Sequence, residues 1–226
     1  MMIVSIHQPN IFPWLGFFNK MAQSDVFILL DNVPFSKGGL TNRVRLKGSN
    51  GLFWLTTPII IKGRMGQVIN DIEINNLTSW KETHRASLMS SYNKTPGYDI
   101  YMPELMKLYD GNHSGLVDFT IPGIILLRDI LQIKTPIIRS SELNCTGSRS
   151  TLLCDLVKVV GGTTYLSGPS GRNYLDEGIF DSQEIKIEYS SFHVFEYPQR
   201  FNNFIGGLSA LDYIFNDPDL SLLKNR

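Results

Sequence analysis

The chain has 226 residues, 42% of them apolar and 11% aromatic, with 21 Lys+Arg against 21 Asp+Glu. That length supports a sizeable hydrophobic core. Zero net charge excludes a general nucleic-acid surface, which rests on clustered cations, and the apolar content excludes a disordered chain.

Ile3 to Ile6 is a short apolar run that predicts a buried first strand, stopped at His7-Gln8-Pro9-Asn10, because proline cannot carry a helix onward. Pro13 suits a helix start, and Trp14, Phe17, Phe18 and Met21 recur at helical spacing. Val26 to Leu30 predicts a second buried strand, ended by Asp31. Strand, helix and strand open an α/β sheet with parallel pairing. Thr41 to Lys47, Leu52 to Ile61 and Val68 to Ile74 are strand-like, the first two joined by Gly48-Ser-Asn-Gly51. They predict a small antiparallel insertion over about 36–76. Ser79 to Leu131 predicts three helices, broken near Thr95-Pro-Gly97 and Asp110-Gly111, with Pro122 at a first turn or kink of the third. Pro136 to Arg139 is strand, Ser150 to Val160 helix, Thr163 to Leu166 strand, 167–171 a loop and Ile185 to Tyr189 strand. Phe204 to Phe215 predicts a closing helix. The expected fold is one Rossmann-like α/β domain over 1–226, mostly parallel, with a helical section over about 79–131.

Cys145 and Cys154 fit neither a disulfide framework nor a zinc pattern and read as reduced thiols of a cytoplasmic protein. The N-terminus lacks the basic and apolar regions of a signal peptide, and no apolar stretch approaches membrane-spanning length. No spacing of His, Cys or acids suggests a metal site. His84 and His113 lie among polar residues and are expected at the surface.

Four constellations carry chemistry. His7, Gln8, Asn10 and Trp14 sit beyond the carboxyl end of the first strand, where open α/β sheets bind ligands. His7 suits acid–base work, and the two amides suit hydroxyls or a base edge. The competing reading is a loop whose polar groups satisfy its own backbone. Asp31, at the next strand end, suits a sugar hydroxyl or a turn cap. Lys37 to Lys47 contains Lys37, Asn42, Arg43, Arg45 and Lys47. On a strand Arg43, Arg45 and Lys47 share one face, as an anion clamp or as a solvated edge. Ser167, Ser170, Arg172 and Asn173 lie on a glycine-serine loop that offers N–H groups to an anion, or simply turns. Finally, 193–204 places His193, Glu196, Tyr197, Gln199 and Arg200 together, as an acid–base pair or a loop held by aromatics.

These residues resemble the WbqC-like protein family of bacteria. The likeness rests on His7-Gln-Pro-Asn10 with Pro13-Trp-Leu-Gly-Phe17, on Phe27 to Asp31, on Phe35-Ser-Lys37 and Asn42-Arg-Val-Arg45, and on Trp54-Leu-Thr56. It continues through Tyr165-Leu-Ser-Gly168, Asn173-Tyr-Leu175, Tyr197-Pro-Gln199, Phe204 and Leu208-Ser209. Gly38-Gly39-Leu40 departs from it, standing where the family pattern has bulkier residues. The resemblance implies a role in O-antigen or other surface-polysaccharide biosynthesis. The implied partner is a nucleotide-sugar substrate, with acyl or aminoacyl transfer onto an amino sugar as the leading reaction and a tRNA-borne donor compatible with it. A nucleotide, as sugar nucleotide or ATP, is the one cofactor compatible with the reading. A fold-level likeness to nucleotidylyltransferases keeps a nucleotide-dependent ligase as an alternative, and a non-catalytic scaffold of the same pathway as another.

Overall fold

The structure is a computed structural model and describes residues 1–61 and 66–220. The chain forms two compact units, each assembled from three separate segments. One comprises Met1–Gln8, Gly16–Val33 and Ile133–His193; the other comprises Pro9–Leu15, Pro34–Gln132 and Val194–Arg226. The class is α/β, as expected, with a five-stranded all-parallel sheet and a separate two-stranded antiparallel one.

The first unit holds the parallel sheet, made of β1 (Ile3–His7), β2 (Val26–Leu29), β5 (Ile137–Arg139), β6 (Thr164–Ser167) and β7 (Lys186–Tyr189). Their spatial order is β5-β2-β1-β6-β7. β1 pairs with β2 in the register Val4↔Val26 to His7↔Leu29, and with β6 at Ile3↔Thr164 and Val4↔Tyr165. Alternation of side chains divides the sheet into two faces. Val4, Ile6, Val26, Ile28 and Tyr165 form one core with Leu152, Leu153, Leu156 and Val157 of α5 (Arg149–Val159) and Phe180 of α6 (Glu177–Asp181). Tyr165 and Phe180 stack at 5.4 Å. Each such apolar side chain contributes roughly 1.5–3 kcal/mol on burial. Ser5, His7 and Phe27 face the other way, toward α1 (Leu15–Ala22). There Phe17 meets Phe27 at 4.9 Å, and Ser24, just past the helix, donates to Ser5 Oγ at 2.6 Å.

The second unit contains the hairpin β3 (Arg43–Gly48) and β4 (Gly51–Thr56), and the helices α2 (Trp80–Tyr92), α3 (Tyr98–Asp110), α4 (Leu116–Ile130) and α7 (Ala210–Asn216). The three middle helices and both their breaks agree with the sequence. Pro122 lies well inside α4 rather than in its first turn, and α3 carries a second internal proline, Pro103.

Several expectations are corrected. β4 stops at Thr56 instead of Ile61, because Pro58 has no N–H to continue a ladder. Val68 to Ile74 is not a strand: Ile69–Asp71 makes a 3₁₀ turn, and only isolated bridges such as Ile59↔Ile74 flank it. The loop after β6 is itself 3₁₀ over Pro169–Asn173. The closing helix starts only at Ala210, where Ser209 Oγ caps it by accepting from Leu211 N while donating to Phe12 O. α6 has no counterpart in the sequence reading.

His84 and His113 are buried, not on the surface. His84 stands one turn after Trp80 on α2 and packs with Trp80 and Tyr109, whose rings also meet Phe119 and Phe12. Its Nδ1 is 3.0 Å from Tyr109 Oη and its Nε2 3.0 Å from Thr56 O. Burial lowers its pKa to about 4, so the ring is neutral at physiological pH.

Candidate functional site

In the first unit β2 and β5 extend the sheet from one side of β1, while β6 and β7 extend it from the other. The strand order therefore reverses between β1 and β6. Carboxyl ends of strands at such a point form the usual ligand crevice of open α/β sheets. The residues at this edge are His7 on β1, Asp31 after β2, Arg139 at the end of β5 and Ser167 on β6.

His7 is half-buried, with its ring 4.9 Å from Phe17 and its Nδ1 3.0 Å from the Gln8 carbonyl. A neutral imidazole whose Nδ1–H donates to that carbonyl keeps its Nε2 lone pair free. Burial, reinforced by the positive charge of Lys20, lowers its pKa to about 3, against a small opposing effect of the Gln8 hydrogen bond. His7 thus stays neutral across the physiological range. Lys20 itself was invisible to sequence reasoning. It is 4% exposed, donates to Ile6 O at 2.8 Å and lies over the Phe27 ring, and burial lowers its pKa to about 7. It is the group at this edge that titrates near neutrality. The available signal was its position three residues after Phe17, on the helix face that meets the sheet.

Asp31 is fully buried, and its carboxylate accepts from Arg139 Nε, Ser140 Oγ, Ser141 N and Ser141 Oγ, all within 3.0 Å. Burial alone raises a carboxyl pKa, but the donors from Ser141, Arg139 and Ser140 outweigh it and hold Asp31 below its ordinary value. A sugar hydroxyl would have to displace one of these four donors. These bonds tie the end of β2 to the turn after β5, as a turn cap would.

Ser167 is buried and donates to the Gly168 carbonyl, while Ser170, Arg172 and Asn173 are exposed on the 3₁₀ turn. The small residues here have a packing cause. A Cβ on Gly171 would lie 2.1 Å from Ser167 Oγ. Arg172 stacks on Tyr189 of β7 at 3.9 Å. No side-chain hydrogen bond or ion pair joins His7, Asp31 and this turn among the described residues; they share the edge of the sheet without forming a network.

Gln8 and His193 end two segments of the first unit, and the remaining candidates belong to the second. Asn10 is buried, Trp14 is half-buried and bridges in antiparallel fashion to Ser209, and Lys37 is exposed. Asn42 donates to Thr57 O at 3.0 Å. Arg43, Arg45 and Lys47 do alternate onto one face of β3, opposite Thr56, Trp54 and Leu52. The three are nevertheless not a row of free cations: Arg43 donates to the Gly39 and Gly38 carbonyls, and Lys47 is buried and gives its amine to Gln199 Oε1, Phe201 O and Asn203 O. Gln199 is tied in as well. Its amide donates to Ile205 O and to Asp212, and its oxygen accepts from Ile205 N. Asp212, also missed in the sequence, is buried and accepts from Tyr92, Tyr197 and Gln199, each at 2.8 Å. Burial raises its pKa, against these donors and Lys47. The segment from 195 to 205 is thus held as aromatic-rich scaffold, with Arg200 donating to Ser91 O and Asn93.

Among the described residues no group of three or more His, Cys, Asp or Glu is placed to hold a metal, and no helix is long and apolar enough to cross a membrane. The sheet order and the imidazole at its switch point define an α/β protein of Rossmann-like build with a candidate ligand edge. The chain belongs to the WbqC-like protein family, whose model matches residues 8–222. It is similar to the uncharacterized protein Rv1507c of Mycobacterium tuberculosis, at 31% identity over 94% of this chain and 93% of the relative. No solved structure matches it.

Proposed function

We propose that the protein modifies a nucleotide-activated amino sugar for surface-polysaccharide assembly, by transfer of an acyl or aminoacyl group to the sugar amine. The observation that carries this reading is His7, a neutral imidazole with an unengaged Nε2 at the switch point of a parallel sheet. The free amine attacks the acyl carbonyl, the C–N bond forms, and the nitrogen becomes acidic as it gains positive character. His7 Nε2 takes that proton, and the leaving group of the donor departs with the electron pair of the broken acyl bond. Ser170, Arg172 and Asn173, exposed on the turn after β6, supply donors for phosphate.

Purified protein is incubated with UDP- or dTDP-amino sugars and acyl donors, including aminoacyl-tRNA, and N-acylated product is followed by mass spectrometry. Product is expected from the wild type, with a loss of about 10²-fold or more in His7→Ala. Equal turnover in His7→Ala, or no binding of any amino sugar nucleotide at millimolar levels, refutes the reading. The same strand order also suits a nucleotide-dependent ligase, and release of pyrophosphate or AMP from ATP would select it instead.

A further inference from the structure

We propose that the β3–β4 hairpin carries a nucleotide-recognition face, with Trp54 as the stacking surface for the base and Arg45 as a phosphate ligand. Trp54 is 46% exposed, an unusual placement for the largest apolar side chain. In the ladder it stands directly opposite Arg45 and diagonal to Arg43. The Arg43 guanidinium lies 4.3 Å from the centre of the indole and that of Arg45 6.0 Å. The two arginines are not equivalent. Arg43 donates through Nε and Nη2 to the carbonyls of Gly39 and Gly38, in a turn that needs the positive φ of Gly38, +87°. It is a fixed brace for the ring. Among the described residues neither a carboxylate nor a carbonyl is bonded to the Arg45 side chain.

The face has the chemistry of its occupant. β3 and β4 contain no acid, and Lys47 is already spent on three oxygens, so Arg45 is the cation left to meet an anion. Charges that merely guard an edge strand require no indole beside them. A half-open aromatic ring next to an unspent fork of N–H donors instead matches a planar base carrying phosphate, by stacking and bidentate contact. A composition of 21 cations balanced by 21 anions fits one nucleoside diphosphate better than a polynucleotide. The inference rests on the transfer reading only for its choice of a nucleotide as ligand class, and otherwise stands on the hairpin of the second unit alone.

The probe is UDP, followed by calorimetry and by tryptophan fluorescence, with inorganic pyrophosphate and a short single-stranded oligonucleotide as comparators. UDP is expected to quench the emission, because Trp54 is the most exposed of the three tryptophans. Trp54→Leu should abolish the quench and weaken binding at least about tenfold, and Arg45→Gln should weaken it about tenfold and flatten its salt dependence. Pyrophosphate should compete without quenching. His7→Ala should leave the quench unchanged, which separates this site from the transfer chemistry. The inference is overturned if the quench survives in Trp54→Leu, if it disappears in His7→Ala, or if only the oligonucleotide binds.

Discussion

Replacing Lys20 by methionine is expected to stabilise the protein at pH 7 and to destabilise it at pH 10. The amine is 4% exposed, and burial lowers its pKa from 10.5 to about 7. At about 1.4 kcal/mol per unit, that shift corresponds to roughly 5 kcal/mol against the charged form in the fold. The unfolded chain keeps the proton up to its ordinary pKa, whereas the folded chain releases it near 7. Between pH 7 and 10 the unfolded state therefore binds more protons, and wild-type stability rises with pH by up to about 1.4 kcal/mol per unit. Below pH 7 both states hold the proton and the penalty is constant at its full value. Methionine keeps the length and the apolar contact with Phe27 but has no titration, and it leaves Ile6 O without its donor, at a cost of about 1–3 kcal/mol. The expected balance is a variant about 2 kcal/mol more stable at pH 7 and about 1 kcal/mol less stable at pH 10. Urea unfolding of both proteins at each unit of pH from 7 to 10 measures it. The window lies above the pKa of His7, about 3 in the fold, so that ring does not contribute. A stability difference that stays constant over the four pH values would refute a titrating buried amine.

Asp31→Ala removes the acceptor of four donors and leaves Arg139 facing a buried void, and it is expected to destabilise by about 3 kcal/mol in urea melts. Because the folded pKa of Asp31 is held low, its contribution is present above the ordinary carboxylate range and fades as pH falls through the folded pKa; a wild-type-like acid transition in the variant contradicts this. Gly171→Ala places a methyl 2.1 Å from Ser167 Oγ and is expected to lose about 1–3 kcal/mol, with partial recovery in the double variant Ser167→Ala/Gly171→Ala. Additive losses in the double variant would show that the clash is elsewhere.

The parallel sheet was legible because its inner strands are short uninterrupted apolar runs, Val26 to Leu29 above all, buried on both faces. The middle helices were legible from period and from the breakers at Pro96-Gly97 and Gly111. Polar residues that fold inward were not. Lys81, Glu82 and Arg85 around His84 suggest a solvated face, yet one turn of helix brings His84 onto Trp80. Lys47 obeys strand alternation and is still covered, by carbonyls 154 and 156 residues further on. Partners so distant leave no local pattern, and the same holds for Arg139 with Asp31 and for Tyr92 with Asp212. The place of His7 at the end of β1 was legible, whereas the burial that lowers its pKa and the Lys20 amine that adds to it were not.

The place of β1 in the sheet also constrains how the chain acquires its shape during synthesis. β1 is the second segment from neither edge: it is central, with β2 on one side and β6 on the other. β2 emerges within some twenty residues and closes one flank early. The other flank, an unpaired row of N–H and C=O groups, waits for Thr164 and Tyr165, more than 150 residues later. For most of its translation the nascent chain thus presents an open apolar β edge, the kind of surface that recruits a second strand. Slow elongation or truncation before β6 should favour self-association over folding.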